Sequence, residues 1–270
     1  MKRTSGIRLC VTVAVGALSL ALITGCSDGG SDSAKSNATN DAKDSGTTSS
    51  AKALSAAELK KLILAQGDVD GYKVAAVTES VPGGRAGIKA DAKCKPLLYV
   101  MSGLAPTDAP AETNRMATAN KKPAATASAD LENMSDADIE KALTDSMSVD
   151  VTVVALSSYD GDGAQKAVKA VSDAVAGCTG GFTAKAGGEE QKFTRITAEK
   201  GSGTGDESVA YAAYGEVDEA DGKSSVVHAE VVRHGNVLAT YYTMNLGAMV
   251  AGKAYTVPAA VVTAQSAKLK

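Results

Sequence analysis

Four cysteines carry the most reactive side chains of this 270-residue chain, and Cys26 has the clearest context. It ends the run Leu22-Ile23-Thr24-Gly25-Cys26, in which aliphatic residues and then two small residues precede the thiol. This order is typical of a lipobox, whose cysteine accepts a diacylglyceryl group and becomes the N-terminus after cleavage. We therefore expect Cys26 to carry lipid, with palmitate among its acyl groups.

The residues before this motif have the pattern of a signal peptide. Lys2, Arg3 and Arg8 form a basic start, and residues 9–23 are mainly apolar. An apolar stretch of about 15 residues is too short to span a membrane comfortably. An ordinary secretory signal or an uncleaved anchor is the alternative, but no A-x-A cleavage pattern lies near the cysteine. We predict a lipoprotein signal peptide over 1–25 and a lipid anchor on the extracytoplasmic face of the cell membrane.

Two further cysteines, Cys94 and Cys178, remain after Cys10 leaves with the leader and Cys26 is acylated. An even pair in an oxidising compartment predicts a disulfide. Closing a loop of about 85 residues would stabilise the fold by about 4–5 kcal/mol in the chain-entropy model. Two buried free thiols are the alternative. A metal site is disfavoured because neither cysteine belongs to a C-x-x-C pair.

Two glycine-rich polar turns were candidates for ion or phosphate binding. The turn 160–163 (DGDG) fails as an EF-hand loop, because Ala164, Gln165 and Val171 occupy positions five, six and twelve. Helix capping explains its aspartates better. Residues 203–207 (GTGDE) precede a predicted strand rather than a helix, so they lack the context of a phosphate cradle. We expect no metal and no cofactor.

The two histidines are the remaining candidates for proton chemistry. His228 and Glu230 share one face of a predicted strand with Val226 and Val232, which fits a solvated or cleft-facing surface. His234 falls in a hairpin turn. No nucleophile stands in a recognisable motif such as G-x-S-x-G, so the sequence disfavours an enzyme. We interpret His228 and Glu230 as possible ligand-facing residues.

The rest of the chain divides into a tether and one folded domain. Residues 26–53 lack aromatic and large aliphatic side chains, which predicts a disordered tether. Residues 54–270 are expected to form a single α+β domain, a mostly antiparallel β-sheet with helices packed on one face. Residues 107–130 look like a long exposed excursion. Hydrophobic periodicity and end signals predict helices over 55–65, 95–101, 135–143, 164–176 and after Pro258, and strands over 72–78, 146–157, 192–198, 208–214, 225–233 and 237–245.

A family resemblance rests on four short segments of the second half. They are Ser157-Ser158-Tyr159 at a strand end, Gly177-Cys178 at a helix end, Gly205-Asp206-Glu207 and the run 231–237 (VVRHGNV). With them the chain resembles actinobacterial lipoproteins related to the extracellular sensor domain of PknH-type receptor kinases. The resemblance implies a cleft between a sheet and packed helices that binds an unidentified envelope ligand, and it supplies no catalytic residues. The kinase domains carry two disulfides, whereas this chain has cysteines for one.

Three functions follow as hypotheses. The first is a non-catalytic, sensor-like lipoprotein of the cell envelope that meets a ligand or a protein partner at His228 and Glu230. The second is a carrier of lipid or another apolar molecule, which requires an apolar cavity lined by Val, Leu and Met. The third is a cell-wall or peptide hydrolase, which requires a Ser, Asp or Glu within hydrogen-bond reach of His228 or His234. The whole chain has 28 basic and 31 acidic side chains, and removal of the leader takes away three of the basic ones. The mature chain therefore has a net charge of −6, which disfavours nucleic acid as a partner.

Overall fold

The computed structural model describes residues 51–78, 81–120, 135–216 and 224–270. The predicted signal peptide, Cys26 and all of the predicted tether except residues 51–53 lie outside the described residues. Those three residues are held by the domain, because the backbone oxygen of Lys52 accepts a hydrogen bond from the Asn236 side chain (2.7 Å). Within the described ranges, every helix is too short or too polar to cross a bilayer.

Eight strands form one antiparallel sheet in the order β1-β2-β3-β8-β7-β6-β5-β4. This arrangement confirms the α+β class and the antiparallel sheet. The strands are β1 (Tyr72–Ala75), β2 (Ala111–Ala119), β3 (Val151–Ser158), β4 (Phe182–Ala186), β5 (Glu189–Glu199), β6 (Glu207–Glu216), β7 (Ser224–His234) and β8 (Val237–Met244). The α-helices are α1 (Ala56–Leu62), α2 (Lys95–Met101), α3 (Asp136–Met147), α4 (Gly163–Gly177), α5 (Leu246–Ala251) and α6 (Ala259–Ala267), and a 3-10 helix covers Gly84–Gly87.

Helices cover both faces of this sheet, whereas the sequence led us to expect one. Val231 and Val232 are neighbours on β7, point to opposite faces and are both fully buried. Val231 belongs to the core with α2 and α4, and Val232 belongs to the core with α1 and α6. A strand that is apolar on both faces must be covered on both, which a count of helices along the sequence cannot reveal.

The predicted disulfide is present and ties α2 to α4. Cys94 stands at the N-cap of α2 and Cys178 at the C-cap of α4, with their Cα atoms 6.1 Å apart. Both side chains are buried. The hydroxyl of Tyr211 on β6 donates a 3.0 Å hydrogen bond to the backbone oxygen of Leu97, so α2 is also fixed to the sheet. The cross-link therefore holds two helices of one core layer together.

Four features differ from the sequence-based expectations. Part of the excursion expected over 107–130 is strand β2, which lies between the edge strand β1 and β3 and whose Ala, Glu and Asn residues have weak strand propensity but pair along all of β3. Strand β4 was not predicted. The helix expected to end at residue 143 continues to Met147, so β3 begins at Val151. Asp162 lies at the N-cap of α4 but makes no capping hydrogen bond and instead pairs with Lys166.

Candidate functional site

A pocket of about 440 Å³ lies where β5, β6 and β7 meet the chain that leads into α6, and we call it the Glu230 pocket. Strand register places the small side chain of Ala210 on β6 between Glu199 on β5 and Glu230 on β7, which leaves space between the two carboxylates. All three residues point to the same face of the sheet. The pocket is lined by Glu199, Lys200, Gly201, Ser202, Ala210, Ala229, Glu230, Thr256, Val257, Ala259 and Val262.

Glu230 is held in this wall by an ordered chain of hydrogen bonds. Its Oε1 atom accepts from the backbone N–H and from the hydroxyl of Ser202, each at 2.7 Å. The Ser202 hydroxyl in turn lies 3.0 Å from the Thr204 hydroxyl, which accepts a 3.1 Å bond from Ser266 on α6. Because every hydroxyl proton in this chain can point towards Glu230, the carboxylate is the terminal acceptor.

His228 forms the second polar pair of the site. Its Nδ1 atom lies 2.9 Å from Oε2 and 3.1 Å from Oε1 of Glu199, the last residue of β5. The Tyr255 ring packs edge-on against the imidazole with centroids 4.7 Å apart, and its hydroxyl donates to the Val226 backbone oxygen. Burial raises the pKa of Tyr255 to about 12, so this hydroxyl stays a neutral donor over the physiological range.

The two sequence-predicted residues lie on the same face of β7, but only Glu230 lines the pocket, and both are buried more deeply than we expected. Only 7% of His228 and 4% of Glu230 is exposed. Their partners Glu199 and Ser202 were missed, because 29 and 28 residues separate the members of each pair and only strand pairing brings them together. Nothing in the local sequence around Glu199 could have identified it. Cys26, the predicted lipid-bearing residue, lies outside the described residues.

The electrostatics of the pocket favour a ligand that donates hydrogen bonds. No side-chain cation forms an ion pair with Glu230 in the part of the chain that the structure describes, and its Oε2 atom has no hydrogen-bond partner there. A partly desolvated carboxylate is stabilised most by a hydrogen bond from an ammonium, guanidinium or hydroxyl group. No group of three or more His, Cys, Asp and Glu side chains able to hold a metal ion occurs among the described residues.

The structure meets the geometric condition of the hydrolase hypothesis, but no serine or threonine hydroxyl of the described residues is hydrogen-bonded to either histidine. Glu199 lies within hydrogen-bond reach of His228, as that hypothesis required. However, no serine or threonine hydroxyl of the described residues bonds to His228 or His234, and the Ser202 hydroxyl donates to Glu230.

The candidate site for the carrier hypothesis is an apolar pocket on the opposite face of the sheet. This pocket has a volume of about 210 Å³ and lies between α2 and strands β5–β8. Leu98, Met101, Phe193, Val227 and Tyr242 are among its lining residues. Its volume is below the range of about 300–1,000 Å³ that is usual for small-molecule sites. An acyl chain would therefore need the pocket to widen.

Comparisons with known proteins add a distant likeness of fold. No protein-family model matches the chain, and no curated protein shows significant sequence similarity to it. Among solved structures, it is similar to the extracellular domain of PknH from Mycobacterium tuberculosis, with a TM-score of 0.45 and 12% sequence identity. The match covers 81% of this chain and 95% of that one. The resemblance expected from the sequence thus has a distant structural counterpart, from which we carry over no property.

Proposed function

We propose that this chain is a lipid-anchored, extracytoplasmic and non-catalytic binding protein whose domain binds a small cationic ligand in the Glu230 pocket. One observation carries the proposal. Glu230 is a nearly buried carboxylate in the wall of a pocket, and no cation of the described residues pairs with it. Burying such a charge is costly unless a partner compensates it, which an amine or guanidinium ligand would do.

The size of the pocket and the preorganisation of Glu230 support this proposal. A volume of about 440 Å³ lies within the range of small-molecule sites. The bonds from Ser202 fix one oxygen of Glu230 before any ligand arrives, which lowers the ordering cost of binding. Glu199 adds a second carboxylate across Ala210, and its 31% exposed side chain can follow the ligand. The two carboxylates outnumber the single cation of the lining, Lys200, so the pocket favours a cation over an anion.

Binding is tested with defined probes on the mature chain from residue 26 carrying Cys26→Ser. Isothermal titration with arginine, ethanolamine and spermidine should detect binding of at least one, and glycerol and acetate should not bind. Glu230→Gln should weaken that binding by about 10- to 100-fold, the value of a charge-assisted hydrogen bond. Glu189→Gln on exposed β5 is the matched control and should leave the affinity unchanged. Equal binding to the Glu230→Gln variant would overturn the pocket assignment.

The anchor is tested separately. Mass analysis of the full chain from its own envelope should show Cys26 at the N-terminus with the added mass of a diacylglyceryl group. In the Cys26→Ser variant the lipoprotein pathway should not cleave the leader, and no acylated protein should be detected. An unmodified residue 26 in the mature chain would remove the anchor and leave the pocket proposal standing.

A carrier of apolar molecules is the second candidate, favoured by the pocket between α2 and the sheet. It predicts that native mass spectrometry of the purified domain detects a co-purifying lipid. Met101→Gln should abolish the retention of that lipid, because an amide at this position adds a polar group to an apolar wall. If no lipid is retained, the carrier candidate is removed and the Glu230 pocket remains the proposed binding site.

A further inference from the structure

The large apolar side chains that stay exposed in the described residues all lie on two neighbouring helices. Ile139 and Leu143 on α3 are 41% and 58% exposed, and Leu246 and Val250 on α5 are 56% and 46% exposed. Each pair has i,i+4 spacing, so each helix presents one apolar stripe on one side. We call these four residues the α3/α5 patch. Single exposed apolar residues are common, whereas a cluster is typical of an interaction site.

The two helices are packed closely enough to form one surface. Gly247 on α5 approaches Thr144 and Ser148 at the end of α3 so tightly that a Cβ atom would collide with their backbone. Asn245 caps α5 by accepting a 2.9 Å bond from the Ala248 N–H and donates a 2.7 Å bond to Asp150. The relative position of the stripes is therefore set by backbone contact and by a side-chain bridge.

The rim of the patch is acidic. Helix α3 carries four acidic side chains and one lysine, whereas α5 carries no charged residue. The lysine, Lys141, already pairs with Asp145 at 2.5 Å. Asp136, Asp138 and Glu140 form no ion pair within the described residues, so α3 keeps an excess of negative charge beside Ile139. An apolar stripe with an acidic border fits a partner that is apolar and basic.

The same charge disfavours the two other possible occupants. A second copy of this chain would bring two acidic α3 helices together, and like charges across an interface are unfavourable. An anionic lipid surface would be repelled as well. The patch also lies at the far end of β3 and β8 from the point where Lys52 contacts Asn236, about 25 Å away at the usual rise of a strand.

We propose that the α3/α5 patch docks a basic amphipathic helix of a partner protein, independently of any ligand in the Glu230 pocket. Apolar side chains of that helix would lie on Leu143 and Leu246, and its lysines or arginines would face Asp136 and Glu140. An amphipathic helix binds an apolar surface through side chains at i, i+3, i+4 and i+7 spacing. The interaction assigns a role to α3, a helix in which no residue is buried.

The test uses the mature chain from residue 26 with Cys26→Ser and two synthetic 18-residue helical peptides. Both peptides carry leucines at helical i, i+3, i+4 and i+7 spacing, one with lysines and the other with glutamates on the polar side. Fluorescence anisotropy should show that the lysine peptide binds at least about tenfold more tightly than the glutamate peptide. Leu143→Gln with Leu246→Gln should weaken the lysine peptide by at least about tenfold. Lys169→Gln on α4 is the control and should change nothing.

Charge reversal separates the proposal from general stickiness. Asp136→Lys with Glu140→Lys should weaken the lysine peptide and strengthen the glutamate peptide, and circular dichroism should show an unchanged helix content. Equal affinities for both peptides, or no response to either double variant, would overturn the proposal. So would binding to phosphatidylglycerol vesicles that the Leu143→Gln and Leu246→Gln variant abolishes, or a dimer that the same variant dissociates.

Discussion

Both hydrogen bonds that Ser202 donates converge on a single oxygen, Oε1, of Glu230. The acceptor lies in the middle of β7 and the donor in the loop after β5, so the two bonds tie a loop to the centre of the sheet. The Ser202 hydroxyl also continues the chain to Thr204 and to Ser266 on α6. One serine thus connects the loop, the sheet and a helix at the candidate site.

Ser202→Ala should therefore destabilise the domain by about 1–3 kcal/mol, because a carboxylate in a buried wall loses one of its two donors. Urea unfolding measures the change. A double-mutant cycle with Glu230→Gln should give a coupling energy of about 1 kcal/mol or more. Additive effects of the two variants would contradict the bond. Ser146→Ala on exposed α3 is the control and should stay within about 0.5 kcal/mol of the native chain.

Gln265 on α6 is a fully buried polar side chain that pairs with backbone groups at the C-terminal end of α1. Its Oε1 accepts a hydrogen bond from the Leu64 N–H and its Nε2 donates to the Leu62 oxygen, both at 2.9 Å. Gln265→Leu would leave both backbone groups unpaired and should reduce the free energy of unfolding by about 2–4 kcal/mol. Gln165→Leu on the exposed side of α4 should have almost no effect. Equal effects at the two positions would show that α1 does not depend on this contact.

Gly247 sets the approach of α5 to α3. Alanine is the better helix former by about 1 kcal/mol, but its Cβ would meet the backbone of Ser148 and Thr144. We expect the collision to dominate and Gly247→Ala to lower stability by about 1–3 kcal/mol in thermal unfolding. Gly180→Ala is the matched control, because nothing lies within 4 Å of its added Cβ. A stabilised Gly247→Ala variant would show that the two helices are not in backbone contact.

His234 should titrate below the ordinary histidine range. Burial lowers its pKa, the nearby Asp206 acts in the opposite direction, and its Nε2 atom is buried with no hydrogen-bond partner among the residues that the structure describes. Because the folded pKa lies below the unfolded one, the stability that neutral His234 contributes is present above about pH 6.5 and is lost as the pH falls through the folded pKa. Proton NMR titration of the native chain and of His234→Gln should identify the His234 imidazole and give it a midpoint below the ordinary histidine value of about 6.5. A value at or above 6.5 would contradict the burial.

Several elements could be predicted because their signals are local. Pro96 in the first turn of α2, the apolar periodicity of α4 and the tight turn at Gly235 (φ +60°) each act within a few residues. The disulfide also followed from arithmetic, since only Cys94 and Cys178 remained to pair. These features depend on backbone preferences and on thiol chemistry, which neighbouring residues largely determine.

The candidate site and the α3/α5 patch depended on tertiary structure. Pairing of β5, β6 and β7 decides that Glu199 meets His228 and that Ser202 reaches Glu230, each across nearly thirty residues. Strand β2 exists because β3 offers it a partner, although most of its residues have weak strand propensity. The sequence alone predicted the main helices, whose causes are local, and the disulfide, whose two cysteines were the pair left over, while the leader motif stays a prediction. Register, burial and the neighbours of each polar group arise from contacts between distant segments, so only the folded chain decides them.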